Sequence, residues 1–219
     1  MVKYVYDFSE GDKSMKDLLG GKGANLAEMT KLGLPVPPGF TITTEACRVY
    51  LHDGTAPESL DTEVTVALRK VEEEMGRKLG DPKDPLLVSV RSGAKFSMPG
   101  MMETVLNIGL NDESVYGLAE VSGNERFAWD SYRRLIQMFG KTVQDIDGDK
   151  FADILHKLQA DKGYSGDLDM TADDLKHLVK EFKKVVKDET GEDFPQDPRK
   201  QLDLAVEAVF RSWNTERAR

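Results

Sequence analysis

Apolar residues follow two different spacings along this chain, and the change between them separates strand-like from helical segments. Alternation over Tyr4–Phe8 and a compact β-branched run at Leu86–Val90 predict strands, and strands also fit Gly39–Thr43 and Thr104–Ile108. In the second half, apolar residues recur every three or four positions between polar breaks, which is typical of helices. The helices predicted there are Ser114–Val121, Arg126–Val143, Lys150–Ala160, Ala172–Lys187 and Pro198–Trp213.

Three further helices are predicted in the first half. A glycine-rich segment at Leu18–Met29 begins the first, and Thr44 is expected to cap the second, over Glu45–Leu51, by accepting hydrogen bonds from free N–H groups. The third covers Asp61–Leu79. The expected apolar face of the first helix is Leu26, Met29 and Leu32. That of the third helix is Val64, Leu68, Val71 and Met75.

These elements together predict an α+β fold in which helix exceeds strand. Residues 1–112 would form an α/β lobe with a small mixed sheet, and residues 113–219 a mainly helical subdomain. In that subdomain, Thr171 and Asp174 have the spacing of a capping box, with Asp in place of the usual Glu or Gln.

Composition places the chain among globular proteins and limits its partners. Hydrophobic residues make up 39% and charged residues 32%, and the net charge of -9 disfavours nonspecific binding to nucleic acid or anionic membranes. An anionic ligand therefore needs a local basic site. A single cysteine, no apolar run at the N-terminus and no stretch of about 20 apolar residues predict a cytoplasmic protein without a membrane span.

The GGKG segment at residues 20–23 is the first candidate for phosphate binding. Its three glycines let backbone N–H groups point into one concavity, a helix N-terminus adds partial positive charge, and Lys22 could reach a phosphate. The Walker A and GxGxxG patterns are both absent. The alternative is a structural turn before a helix, and this segment alone leaves both interpretations open.

Arg91 directly follows a predicted buried strand at a glycine-containing loop, where a guanidinium group can fork onto phosphate oxygens. The alternative is an arginine paired with an acidic neighbour. The following segment, Ser92–Met102, is either a flap whose methionines cover a nucleotide or a loop that packs on the core. Arg133 and Arg134 share a predicted helix, where one could face a ligand or both could be surface charge.

Other groups do not suggest a site. The three histidines, His52, His156 and His177, are far apart on predicted helix surfaces. Cys47 has no activating partner in its sequence neighbourhood and is expected to be a small buried residue. The aspartates around the IDGD stretch lack the later glutamate of an EF-hand, so a solvated turn is expected there.

Three longer blocks carry a family resemblance. They are LLGGKGANLAEMTKLGLPVPPGFTITTEAC at Leu18–Cys47, PLLVSVRSGAKFSMPGMMETVLNIGLND at Pro85–Asp112 and RFAWDSYRRLIQMFG at Arg126–Gly140. Together they resemble the N-terminal nucleotide-binding region of the pyruvate phosphate dikinase family. The SMPGMM run distinguishes that family from the related phosphoenolpyruvate synthases, which generally lack it. The resemblance covers essentially the whole chain.

The resemblance implies an ATP-grasp-like site and an enzyme that converts ATP, pyruvate and phosphate to AMP, phosphoenolpyruvate and diphosphate through a phosphohistidine. Magnesium (Mg²⁺) would be required. The family's motif lysine and arginine, which contact the ATP phosphates, correspond to Lys22 and Arg91. The other residues expected at the nucleotide are Gly21, Gly23, Ser97, Met98, Gly100, Met101 and Arg134.

The resemblance also indicates what lies outside these 219 residues. The second ATP-grasp lobe, the phosphohistidine domain and the pyruvate-binding barrel are expected beyond Arg219, so catalytic residues and magnesium ligands are expected there and the chain alone is expected to be inactive. The expected partners are ATP and the remaining domains of a parent dikinase, itself expected to be a homo-oligomer. Two alternatives stay open: a related dikinase with another acceptor, and a stand-alone binding or regulatory module.

Overall fold

The computed structural model describes residues 1–93, 102 and 104–213. Its strands are β1 (Val5–Asp7), β2 (Phe40–Ile42), β3 (Val88–Val90) and β4 (Val105–Ile108). Its helices are α1 (Lys16–Lys31), α2 (Thr44–Asp53), α3 (Leu60–Met75), α4 (Ser114–Ser122), α5 (Glu125–Thr142), α6 (Asp149–Lys162), α7 (Ala172–Thr190) and α8 (Pro198–Ser212). The α+β prediction and the helical second half are confirmed.

The chain folds as two compact units. The first contains the described residues of 1–76, 91–102 and 209–219, and the second contains those of 77–90 and 103–208. The assignment of residues 1–112 to a nucleotide-binding lobe and of residues 113–219 to a helical subdomain stays a prediction. In the described part of the chain, no helix combines the length and the apolar character needed to cross a membrane.

The first unit is built around α1 and a short antiparallel strand pair. In that pair, β1 and β2 place Val5 opposite Ile42, and the Thr43 N–H extends the pairing by donating to the Tyr4 carbonyl at 2.8 Å. Helix α1 packs against β2 and α2, and α3 packs against β1. This arrangement holds the glycine-rich part of α1 against the strand pair.

The buried face of α1 differs from the predicted one. Met29 and Leu32 are exposed and Leu26 is half-buried. The apolar residues of α1 that are buried are Leu19, Ala24 and Ala27. Small residues form this face because the helix lies very close to β2: a Cβ added to Gly23 would lie 2.8 Å from Thr41 Cγ2. Hydrophobic periodicity missed this face because glycine and alanine carry little apolar signal.

The predicted cap of α2 is wrong by one residue. The hydroxyl of Thr43, and not that of Thr44, accepts the capping hydrogen bond from the Ala46 N–H, at 3.3 Å. Thr44 is the first residue of the helix, and its Oγ1 donates to the Asp17 carbonyl at 2.7 Å. Two consecutive threonines offer the same local signal, and this contact with α1 distinguishes them.

Helix α3 ends earlier than predicted. It stops at Met75 and not at Leu79, because Gly76 adopts the left-handed conformation (φ 66°) that closes many helices. Met75 is therefore exposed at the helix end. The rest of the predicted stripe is buried, as expected: Val64, Leu68 and Val71.

The second unit packs helices on a two-stranded sheet. Strands β3 and β4 are antiparallel, and α5 packs against β4, α4 and α7, while α6 packs against α7. The buried side chain of Gln201 accepts a hydrogen bond from the Gly109 N–H and donates to the Leu110 carbonyl, both at 2.9 Å. The predicted capping box is confirmed, with Thr171 and Asp174 bonded reciprocally at the start of α7.

The single mixed sheet expected in the first half is wrong. The described residues contain two separate antiparallel pairs, β1 with β2 and β3 with β4, and one isolated parallel bridge between Leu79 and Leu86. Each strand has only three or four residues, and α2 and α3 separate the two pairs in the chain. The two pairs belong to different compact units.

Candidate functional site

Helix α1 is interrupted inside the glycine-rich segment. Gly20 has φ 74° and ψ 170°, so α1 consists of two helical stretches that meet at a kink. Gly21, Lys22 and Gly23 open the second stretch. The prediction that this segment begins a helix therefore holds for the second stretch only, since a helical turn from Lys16 precedes the kink.

The kink contacts the segment that follows β3 in the chain. Lys22 Nζ donates a hydrogen bond to the carbonyl oxygen of Ser92 at 3.1 Å. The backbone of Gly93 lies against the kink, because a Cβ on Gly20 would be 2.9 Å from the Gly93 oxygen. The structure thus joins two segments that are far apart in the sequence.

Lys22 and Arg91 are both exposed beside this contact, while Ser92 is buried. Neither cation forms an ion pair with a carboxylate among the described residues, so the alternative of a structurally paired Arg91 gains no support. Two cations near a helix start create a local positive region in a chain whose net charge is -9. The arrangement suits an anionic group such as phosphate.

Gly21 and Gly23 differ in their surroundings. Gly21 is half-buried at the start of the second stretch, whereas Gly23 is buried against Thr41. Packing alone explains why Gly23 lacks a side chain. The predicted contact of both glycines with a nucleotide stays a prediction.

Arg134 belongs to the second unit and is engaged in ion pairs there. Its Nε donates to Asp130 at 2.9 Å, and its guanidinium lies 3.8 Å from the Asp167 carboxylate. Arg133, on the same helix, is buried and also bonds Asp130, at 2.7 Å. Burial by itself would raise the pKa of Asp130, but the two arginines hold that pKa below its usual range. The predicted role of Arg134 at the nucleotide stays a prediction.

Four of the predicted site residues lie outside the described residues: Ser97, Met98, Gly100 and Met101. Two roles at the contact were not predicted from the sequence, although both residues lie in candidate segments: Gly20 as the kink residue and Ser92 as the partner of Lys22. A glycine pair inside a helical pattern was the available signal for the kink. No signal in the sequence indicates a pairing across 70 positions.

Metal-ligating side chains and the single cysteine are other groups that can carry chemistry. None of their His, Cys, Asp and Glu side chains cluster in threes or more in a way that could hold a metal ion. Cys47 is buried, as predicted, and its Sγ donates to the Phe210 carbonyl at 3.9 Å. Burial raises the pKa of this thiol to about 11, so it is poorly suited to nucleophilic chemistry.

Comparison with known proteins agrees with the resemblance. The family model described as pyruvate phosphate dikinase, AMP/ATP-binding domain, matches residues 16–61 and 55–219. The chain is 54% identical over 220 residues to pyruvate, phosphate dikinase of Clostridium symbiosum, covering all of this chain and 25% of that protein. It is 58% identical to the chloroplastic pyruvate, phosphate dikinase 1 of Zea mays and 59% identical to that of Oryza sativa subsp. japonica, covering 99% of this chain and 23% of each relative.

The chain spans about a quarter of the length of the curated relatives it matches. The matched relatives include bacterial and chloroplastic proteins, and the cytoplasmic location stays a prediction. The similarity runs through both units and includes the kinked helix and the Arg91 segment. On this evidence, the chain belongs to the AMP/ATP-binding domain family of the pyruvate phosphate dikinases.

Proposed function

We propose that this chain provides the phosphate-contacting half of the ATP site of a pyruvate phosphate dikinase. The observation that carries the proposal is the contact of the α1 kink and Lys22 with the backbone of Ser92 and Gly93, which are the two residues that follow Arg91 in the chain. The contact lies within one compact unit, to which both Lys22 and Arg91 belong.

The two cations would act differently on a polyphosphate. Lys22 carries a compact charge on a flexible stem, which suits a single phosphate oxygen, whereas the planar guanidinium of Arg91 can donate two parallel hydrogen bonds. The N–H groups at the start of the second helical stretch, including that of Gly21, would add donors. Together these groups would orient ATP and stabilise negative charge that develops during phosphoryl transfer.

The complete enzyme would need more than these residues. We infer an ATP-grasp-like arrangement completed by a second lobe, and transfer to pyruvate through a phosphohistidine on another part of the parent protein. Ser97, Met98, Gly100, Met101 and Arg134 are proposed as further contacts to the nucleotide. The described residues do not supply a metal-ligand cluster, so the ligands of Mg²⁺ are proposed to lie elsewhere in the parent.

The proposal is tested by removing each cation from the full-length parent enzyme. Lys22→Met and Arg91→Met should each raise the Kd for ATP by about 10- to 100-fold, because a hydrogen bond to a charged group contributes roughly 1.5–3 kcal/mol. Lys16→Met is the matched control, since Lys16 is an exposed lysine on the same helix before the kink. Binding is measured by titration calorimetry at constant salt.

The outcomes separate the proposal from its alternatives. Equal ATP affinity in wild type, Lys22→Met and Arg91→Met would refute the phosphate role. If ATP binds as expected but pyruvate does not accept the phosphoryl group, the parent is a dikinase with another acceptor. If the cell contains only the 219-residue chain, at 24.4 kDa, the interpretation as a binding module is favoured.

A further inference from the structure

The backbone of Gly20 has a conformation that other residues rarely adopt. Its φ of 74° and ψ of 170° fall in a region that is essentially restricted to glycine, far from the angles of the helix on either side. Gly20 is also buried. The kink is therefore a defined feature of the backbone and not a frayed helix end.

The same residue is in close contact with the backbone of Gly93. A Cβ at position 20 would lie 2.9 Å from the Gly93 carbonyl oxygen and 3.2 Å from its carbonyl carbon, and such distances require the backbone to move. Both the dihedral angles and the space at this position therefore exclude a side chain. Any larger residue at 20 must separate α1 from residues 91–93.

A second link lies two residues away, where Lys22 Nζ donates to the carbonyl of Ser92 at 3.1 Å. Residues 91–93 are thus held by α1 at two adjacent carbonyl groups. Gly20 packs against that of Gly93, and Lys22 donates a hydrogen bond to that of Ser92. Arg91 is covalently joined to the residue that Lys22 holds. The spacing set at the kink therefore controls the distance between Lys22 and the backbone next to Arg91.

We propose that Gly20 is a positioning residue for the nucleotide site, an inference that rests on the proposed function. It does not touch the phosphates. It holds the backbone of residues 91–93 close enough for Lys22 to bond Ser92, and so it keeps Lys22 and Arg91 at the separation that a polyphosphate needs. Misplacement of such groups by about 1 Å is sufficient to lower activity by orders of magnitude.

The first test does not depend on ATP. In the full-length parent, the acylation rate of the Lys22 amine is measured by mass spectrometry relative to that of Lys16, in wild type, Gly20→Ala and Gly33→Ala. Gly33 is the matched control because its φ is also positive, at 77°, but a Cβ there meets nothing within 4 Å. Gly20→Ala should raise the relative rate at Lys22 about fivefold by breaking its hydrogen bond, and Gly33→Ala should leave it unchanged.

The second test measures the nucleotide site. Gly20→Ala should raise the KM for ATP about tenfold or more, with the KM for pyruvate unchanged, whereas Gly33→Ala should match wild type. A purely structural defect would lower the amount of active enzyme and leave both KM values as they are. If Gly20→Ala does not fold, Gly93→Leu enlarges the same contact from the other side, where a Cβ is already 3.9 Å from that of Lys22, and should give the same two results.

The inference is overturned if Gly20→Ala, or Gly93→Leu in its place, behaves like Gly33→Ala in both tests while Lys22→Met and Arg91→Met lose ATP affinity. The proposed function would still be supported, because both cations would still contribute to ATP binding. If Lys22→Met and Arg91→Met bind ATP as tightly as wild type does, the proposed function fails and the positioning role fails with it. The acylation test then still reports whether Gly20 maintains the hydrogen bond between Lys22 and Ser92.

Discussion

Single residues in unusual backbone conformations mark where this fold departs from regular geometry, and Asn107 is one that is not glycine. It lies in β4 with φ 65°, at a point where two residues of β4 oppose one residue of β3. This is a β-bulge, and its side chain is used, since Nδ2 donates to the Ser131 carbonyl at 3.2 Å. Asparagine tolerates the left-handed region better than most residues do.

This geometry predicts that Gly and Ala variants have opposite orders of stability at Asn107 and at Leu106. At Asn107, the Gly variant should be more stable than the Ala variant by about 1 kcal/mol, because the Cβ of alanine is too close to the following carbonyl oxygen at a positive φ. At the neighbouring exposed Leu106, which lacks a positive φ, Ala should be more stable than Gly by about 0.5–1 kcal/mol. Urea unfolding of the four variants measures both differences, and the same order at both positions would contradict the assigned bulge.

At the scale of an element, α7 is stabilised at its start by a carboxylate with several donors. Asp174 is buried and accepts hydrogen bonds from Lys162 at 2.5 Å, from the Tyr164 hydroxyl at 2.7 Å and from the Thr171 N–H at 2.9 Å. Burial by itself would raise the pKa of Asp174, but these donors lower it well below its ordinary value of 3.8. The helix start is therefore stabilised by an ionised group.

The depressed pKa determines the sign of the pH dependence. The carboxylate contributes fully to stability above its unfolded pKa of about 4, and the contribution is lost as pH falls through that value towards the folded pKa. Asp174→Asn should cost about 1–3 kcal/mol at pH 7, and the difference from wild type should shrink below about pH 4. Unfolding is followed by the fluorescence of the buried Trp129 with Trp213 replaced by Phe in every variant.

Asp173 provides the matched control for that experiment. Its carboxylate occupies the neighbouring position in the first turn of α7 but is 95% exposed. Asp173→Asn should change the free energy of unfolding by no more than about 0.5 kcal/mol at either pH. A pH-independent effect of Asp174→Asn, or an equal effect at Asp173, would show that charge at position 174 is not the stabilising factor.

At the scale of the whole molecule, the chain is a quarter of the length of its relatives and contains half of the proposed site. The purified 219-residue chain should therefore give no measurable phosphoenolpyruvate from ATP, pyruvate and phosphate, whereas the full-length parent should turn over. Phosphorus NMR of both mixtures at equal protein concentration is the measurement. Robust product from the chain alone would refute the division of the active site between this chain and the rest of the parent.

The sequence by itself determined the family, the α+β class and most helix positions, and it singled out Lys22 and Arg91 as candidate phosphate contacts. Those features depend on local signals: apolar periodicity, a capping box and short motifs such as GGKG. The Thr171 and Asp174 box is a local feature of this kind, because three residues separate its partners.

Only the tertiary structure decided the kink at Gly20, the small-residue face of α1 and the separation of the strands into two sheets. Each of these depends on contacts between residues distant in sequence, such as Gly20 with Gly93 and Gly23 with Thr41. Glycine and alanine have almost no hydrophobic signal, so a pattern of apolar residues cannot show where backbones approach closely. Lys22 and Arg91 were identified one at a time from the sequence, and the fold placed their segments in contact.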